Sequence, residues 1–122
     1  MKELKTIYPA PATETVGDLT AELYQIKIRN AQAYAELTGA LAPLLASPSE
    51  AACAAFCAKH GDAAVKLLQD QTSIDPASFD TMSSNDLIIW MALLMLRNAE
   101  AFSHALPEAM QNLSGGAKST NG

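Results

Sequence analysis

Aromatic side chains, cysteine and positive charge are all scarce in this chain, and each scarcity excludes something. Aromatics make up 6% of the residues, so any core must rest on aliphatic side chains and alanine. Two cysteines, with no export signal before them, do not build a disulfide framework and point to a reducing compartment. Eight basic side chains stand against 13 acidic ones, for a net charge of −5, and only Lys27 and Arg29 lie close together. A nucleic-acid binder needs a basic patch that displaces counterions from phosphates, so no nucleic-acid partner is expected. The opening "MKELKTIYPAPATETVGD" lacks an apolar h-region, and no signal peptide is expected. There is also no Gly-rich phosphate loop, no nucleophile elbow and no internal repeat.

What is present is alanine and leucine at helical spacing. With 122 residues, 49% of them hydrophobic, the chain has the size and composition of one folded domain. Residues 1–17, with Pro9, Pro11 and Gly17, read as an extended arm. From Asp18, read as an N-cap, the positions Leu19, Leu23, Ile26, Ala33, Leu37, Leu41 and Leu44 trace one stripe of a long first helix. Gly39 and Pro43 predict a bend near its end. "SPSE" at 47–50 reads as a capping box that starts a second helix, with Ser47 as the cap. That helix stops at Gly61, and Asp62 caps a third through Gln71. Asp75 and Pro76 start a short fourth helix. Ser83, with Asp86 three residues on, starts a fifth that runs to about residue 105, before Pro107. The expected fold is all-α: a single-domain bundle of about five helices over 18–113, with a flexible tail at 114–122.

Candidate chemistry is sparse. Cys53, Cys57 and His60 fall at i, i+4 and i+7 and would share one helix face, as metal ligands could. The same residues also suit small fillers of a core face beside Phe56. No second ligand pair accompanies them, so no metal or other cofactor is expected. The acids sit mostly at helix starts, where capping explains them. No catalytic residue is assigned, and the chain is not expected to be an enzyme.

The longest apolar run, Leu87 to Leu96, says most about function. A bilayer-spanning helix needs roughly 20 apolar residues. Extending this run that far takes in Arg97, Asn98, Glu100 and His104, so no membrane span is expected. On a helical wheel Ile88, Met91, Met95, Ala99 and Phe102 gather opposite Asp86, Arg97 and Glu100, which makes them the expected core stripe. Ile89, Trp90 and Leu93 then share the charged side. Either another helix of the domain covers these three, or a partner does. They are the candidate partner-binding residues, for a helix-in-groove contact with another protein or for a homo-oligomer built through this helix.

The order of residues around that helix is distinctive: Ile74, Asp75, Pro76, Phe79, Met82, Ser83 and Asp86, then the apolar helix, then Asn98 and Phe102. Across residues 52–105 it resembles the helical part of tail assembly chaperones from long-tailed bacteriophages and Mu-like prophages. The expected arm departs from the β-rich start of several such proteins. The resemblance implies a non-enzymatic role in the cytoplasm of a host bacterium. Proteins of this kind coat the long helical tape measure protein, help recruit tail tube subunits and are absent from the finished virion. The family often adds a longer form by ribosomal frameshifting, and Gln111-Asn112-Leu113 is compatible with a slippery codon run.

Overall fold

The computed structural model describes the backbone of residues 11–121, with the side chains of 11–103 and of Gln111. Where a helix from Asp18 is predicted, the chain makes a β-hairpin instead. Strand β1 (Ala12–Val16) pairs antiparallel with β2 (Leu19–Leu23), placing Ala12 opposite Leu23 and Val16 opposite Leu19. Gly17 and Asp18 form the two-residue turn. Gly17 has φ 61° and Asp18 a negative φ, the type II′ pattern whose twist suits a hairpin. Asp18 is therefore a turn residue and not a helix cap. Side chains alternate as a half-buried sheet requires: Val16, Ala21 and Leu23 are buried, while Thr13, Thr15, Thr20 and Glu22 are exposed.

Tyr24 to Lys27 continue without regular structure into a 3₁₀ turn at Ile28–Asn30, and helix α1 follows at Ala31–Ala46. Its buried residues, Leu37, Leu41 and Leu44, belong to the stripe read from the sequence. Leu19 and Leu23 of that stripe lie on β2 instead. Helix α2 runs unbroken over Glu50–Gln71. Its cap is Ser49, whose Oγ accepts the Ala52 N–H at 3.0 Å, and not Ser47. The break predicted at Gly61 does not occur. Phe56, Ala64, Leu67, Leu68 and Gln71 are all buried, so one stripe passes through the position. That burial outweighs the roughly 1 kcal/mol helix penalty of a single glycine.

Beyond α2, Thr72 bridges to Leu23, and the chain crosses a 3₁₀ turn at Pro76–Asp80 into helix α3 (Ser84–Asn121). Asp75 and Ser83 act as caps, as predicted. Asp75 Oδ1 accepts from Ala77 N–H and Ser83 Oγ from Asp86 N–H. The short element after Asp75 is a 3₁₀ turn and not a fourth α-helix.

Among the described residues the fold is thus three α-helices with a two-stranded antiparallel sheet, and the five-helix all-α bundle is corrected on both counts. Helix α2 packs between α1 and α3, and β1 lies against α3. Residues 12–16 of the expected arm are β1, and residues 114–121 of the expected tail continue α3 past Pro107. Residues 1–10 of that arm and Gly122 of that tail lie outside the described residues. Among the described residues no helix is long and apolar enough to cross a membrane.

Candidate functional site

The hairpin and the helices meet at the connector Tyr24–Asn30, and three side chains pin it. Gln71, fully buried at the end of α2, accepts the Lys27 N–H (3.0 Å) and an Asn30 Nδ2 proton (2.6 Å) through Oε1. Its Nε2 donates to the Gln25 carbonyl at 2.8 Å. Asn98 of α3 accepts the Ile26 N–H at 2.9 Å and donates to the carbonyls of Leu94 and Tyr24. On the outer side Asp70 takes Arg29 Nε and Nη2 at 2.9 and 2.7 Å, Asn30 Nδ2 at 2.6 Å and Lys27 Nζ at 3.3 Å. The Arg29 hydrogen bonds, then that of Asn30, hold the Asp70 carboxyl well below the usual carboxylate range, and Asp70 in turn raises the Arg29 guanidinium.

These contacts leave two adjoining hollows beside α3, one against the hairpin and one against the connector and α1. The larger, about 500 Å³, is lined by Pro11, Glu14, Tyr24, Arg97, Asn98 and Ala101, among others. Arg97 sits between two carboxylates, Glu14 of β1 and Glu100 of its own helix, and both raise its pKa. The second hollow, about 440 Å³, lies between Ile26, Tyr34, Ala99 and Phe102. Phe102 is 64% exposed on its rim, and burial raises the Tyr34 hydroxyl pKa. Every charge described here already has an opposite charge beside it. Among the described residues neither hollow sets a nucleophile against a base.

Of the residues nominated from the sequence, Ile89 and Leu93 share a face of α3 and Trp90 does not join them. Trp90 is fully buried, Leu93 is half-buried against the core, and Ile89 is 43% exposed. Of the two alternatives for these three, the domain itself covers Trp90. The buried face of α3 consists of Leu87, Ile88, Trp90, Met91 and Leu94. That face is turned by roughly 80° from the one expected, which leaves Ala99 and Phe102 exposed. Arg97, placed on the charged side of the wheel, points toward the hairpin and finds Glu14 there, and Asn98 beside it reaches the connector backbone. The outward face of α3 is Ile89, Leu93 and Leu96, the last 49% exposed and not among the residues nominated from the sequence. Glu14, Thr13 and Thr15 are not among them either. Their signal was legible, since "ATETV" and "LTAEL" alternate on either side of Gly17-Asp18.

Cys53, Cys57 and His60 do share a face of α2, each partly buried. His60 packs its ring on Phe56, with centroids 5.2 Å apart. Among the described residues no cluster of three or more His, Cys, Asp or Glu is placed to hold a metal. No family model, curated protein or solved structure matches the chain.

Proposed function

We propose that the chain is a non-enzymatic binding protein of the phage tail assembly chaperone kind. In this reading it works in the cytoplasm of a host bacterium, where it holds a helical segment of a tape measure protein and helps recruit tail tube subunits. The observation that carries it is the outward face of α3. Ile89, Leu93 and Leu96 follow one another at i, i+4 and i+7, and two of them are more than two-fifths exposed. Such a stripe suits side-on packing of an amphipathic helix. The hairpin adds support, because a β-rich start replaces the arm that had set this sequence apart from several proteins it resembles.

Co-expression with a tape measure protein encoded in the same genome tests this. A soluble complex is expected, and Ile89→Asp with Leu96→Asp is expected to abolish it while the circular dichroism spectrum stays unchanged. If the double variant binds as well as the parent, the face is wrongly chosen. If the parent forms no complex, the function is. Light scattering that shows a stable dimer of the chain alone would instead give this face to a second copy.

A further inference from the structure

The two edges of the hairpin are treated differently. On β2, Glu22 receives a hydrogen bond at its carbonyl from the Ser73 N–H (3.0 Å), and its own N–H donates to Ser73 Oγ (2.8 Å). Tyr24 N–H, one step further, donates to the Gln71 carbonyl at 2.9 Å. The segment after α2 therefore seals that edge. Because Glu22 spends its backbone groups outward, the opposed pair Thr13–Glu22 is a non-hydrogen-bonded pair of the ladder. The Thr15–Thr20 pair, with its hydroxyls 2.8 Å apart, has the same phase two residues on. Thr13 and Thr15 thus direct their own N–H and C=O groups away from β2. Among the described residues no group receives them.

This open edge runs beside the 500 Å³ hollow, which Pro11, Ala12, Thr13 and Glu14 line on one side and Arg97 and Glu100 on the other. One guanidinium lies there between two carboxylates, so the trio carries one surplus negative charge. We propose that the outer edge of β1 takes up an extended segment of a partner protein as an added strand, with a basic side chain of that segment set beside Glu14 and Glu100. Main-chain bonds to Thr13 and Thr15 would hold the segment, and alternate side chains would enter the hollow. A second copy pairing through its own β1 does not meet the charge requirement. Its own β1, "ATETV", has no basic residue, and pairing Thr13 with Thr15 across a two-fold sets Glu14 against Glu14. This site is separate from the outward face of α3, and neither proposal needs the other.

The probes are two synthetic peptides of about eight residues, enough to span the edge, which alternate threonine with valine. One has a central lysine and the other a central glutamate. In the free protein the Thr13 and Thr15 amides should exchange with solvent at least about tenfold faster than those of Glu14 and Val16, which face β2. The lysine peptide should slow Thr13 and Thr15 exchange and bind about tenfold or more tightly than the glutamate peptide. Thr13→Pro, which removes an outward N–H that β2 does not use, should abolish binding. Glu14→Gln with Glu100→Gln should erase the preference between peptides, and Ile89→Asp with Leu96→Asp should leave binding intact. Slow exchange at Thr13 and Thr15 in the free protein overturns the proposal without any variant. So does equal binding of the two peptides by the parent, absence of binding, or undiminished binding by a folded Thr13→Pro.

Discussion

The helical body and the hairpin end of this molecule share one apolar core, to which the hairpin adds Val16, Ala21 and Leu23, but the hairpin end depends on polar ties as well. In the body, Leu37, Leu41, Leu67, Leu68, Trp90, Met91 and Leu94 exclude water from one another, each at most 2% exposed. At the hairpin end a few polar side chains, Gln71, Asn98, Asp70 and Arg97, tie strand and connector to the helices. Apolar packing is non-directional, so its losses scale with the volume removed. Amide staples are directional, and removing one strands several backbone groups together. The body should therefore yield gradually to mutation and the hairpin end abruptly, at particular residues.

The largest test of that contrast is Trp90→Ala, expected to cost about 3–5 kcal/mol in urea unfolding. Its neighbour Ile89→Ala should cost about 1 kcal/mol or less. Similar losses for the two would mean that Trp90 is not the interior side chain. Its buried Nε1 has no acceptor among the described residues, so the ring's contribution there comes from packing and not from hydrogen bonding.

Next comes Gln71→Leu, which keeps an apolar volume at the end of α2 but leaves the Lys27 N–H and the Gln25 carbonyl without their partner, while Asn30 Nδ2 keeps Asp70. A loss of about 1–3 kcal/mol is expected. Amide exchange should quicken at residues 24–30 while α1 stays protected. Uniform quickening across the molecule would show that the two ends do not respond separately.

A smaller change of opposite sign tests the unbroken helix α2. The space around Gly61 is open, with no atom near an added Cβ, and its φ is not positive. Gly61→Ala should stabilise by about 0.5–1 kcal/mol. A loss would place the residue in a left-handed cap and divide α2 there after all.

The smallest effect belongs to Asp70, which is about one-third exposed. Its folded pKa lies below the unfolded value of about 3.9, so its contribution is present above that value. The contribution is lost as pH falls further, toward the folded pKa. Thermal unfolding at pH 7 and pH 3 should show Asp70→Asn starting lower than the parent and losing less on acidification. Parallel losses would remove any role for this ion cluster in acid sensitivity.

Part of the structure is written locally and was legible. Leu37, Leu41 and Leu44 recur at helical spacing and are buried together. Asp75 and Ser83 cap through hydrogen bonds two and three residues ahead, which need nothing distant. The hairpin was missed because Leu19 and Leu23 fit a helical i, i+4 spacing as well as a strand's alternation. The Gly17-Asp18 turn signal between the two alternating runs distinguishes them, although Gly17 also suits a linker and Asp18 a cap. Gly61 erred in the opposite direction: a local stop signal lost to a buried stripe running through it.

The composition and spacing of this sequence by themselves determined a mainly helical chain, the leucine stripe of α1 and the caps before Pro76 and Ser84. They also placed charges close enough to the apolar run to argue against a membrane span. Only the tertiary structure decided which side of α3 faces inward and which edge of the hairpin the segment after α2 covers. The reason is that Arg97 and Asn98 look like solvent-facing residues until Glu14 and the Tyr24–Ile26 backbone are brought within hydrogen-bonding distance. Partners 72 to 83 residues away in the chain cannot be seen from the helix that needs them.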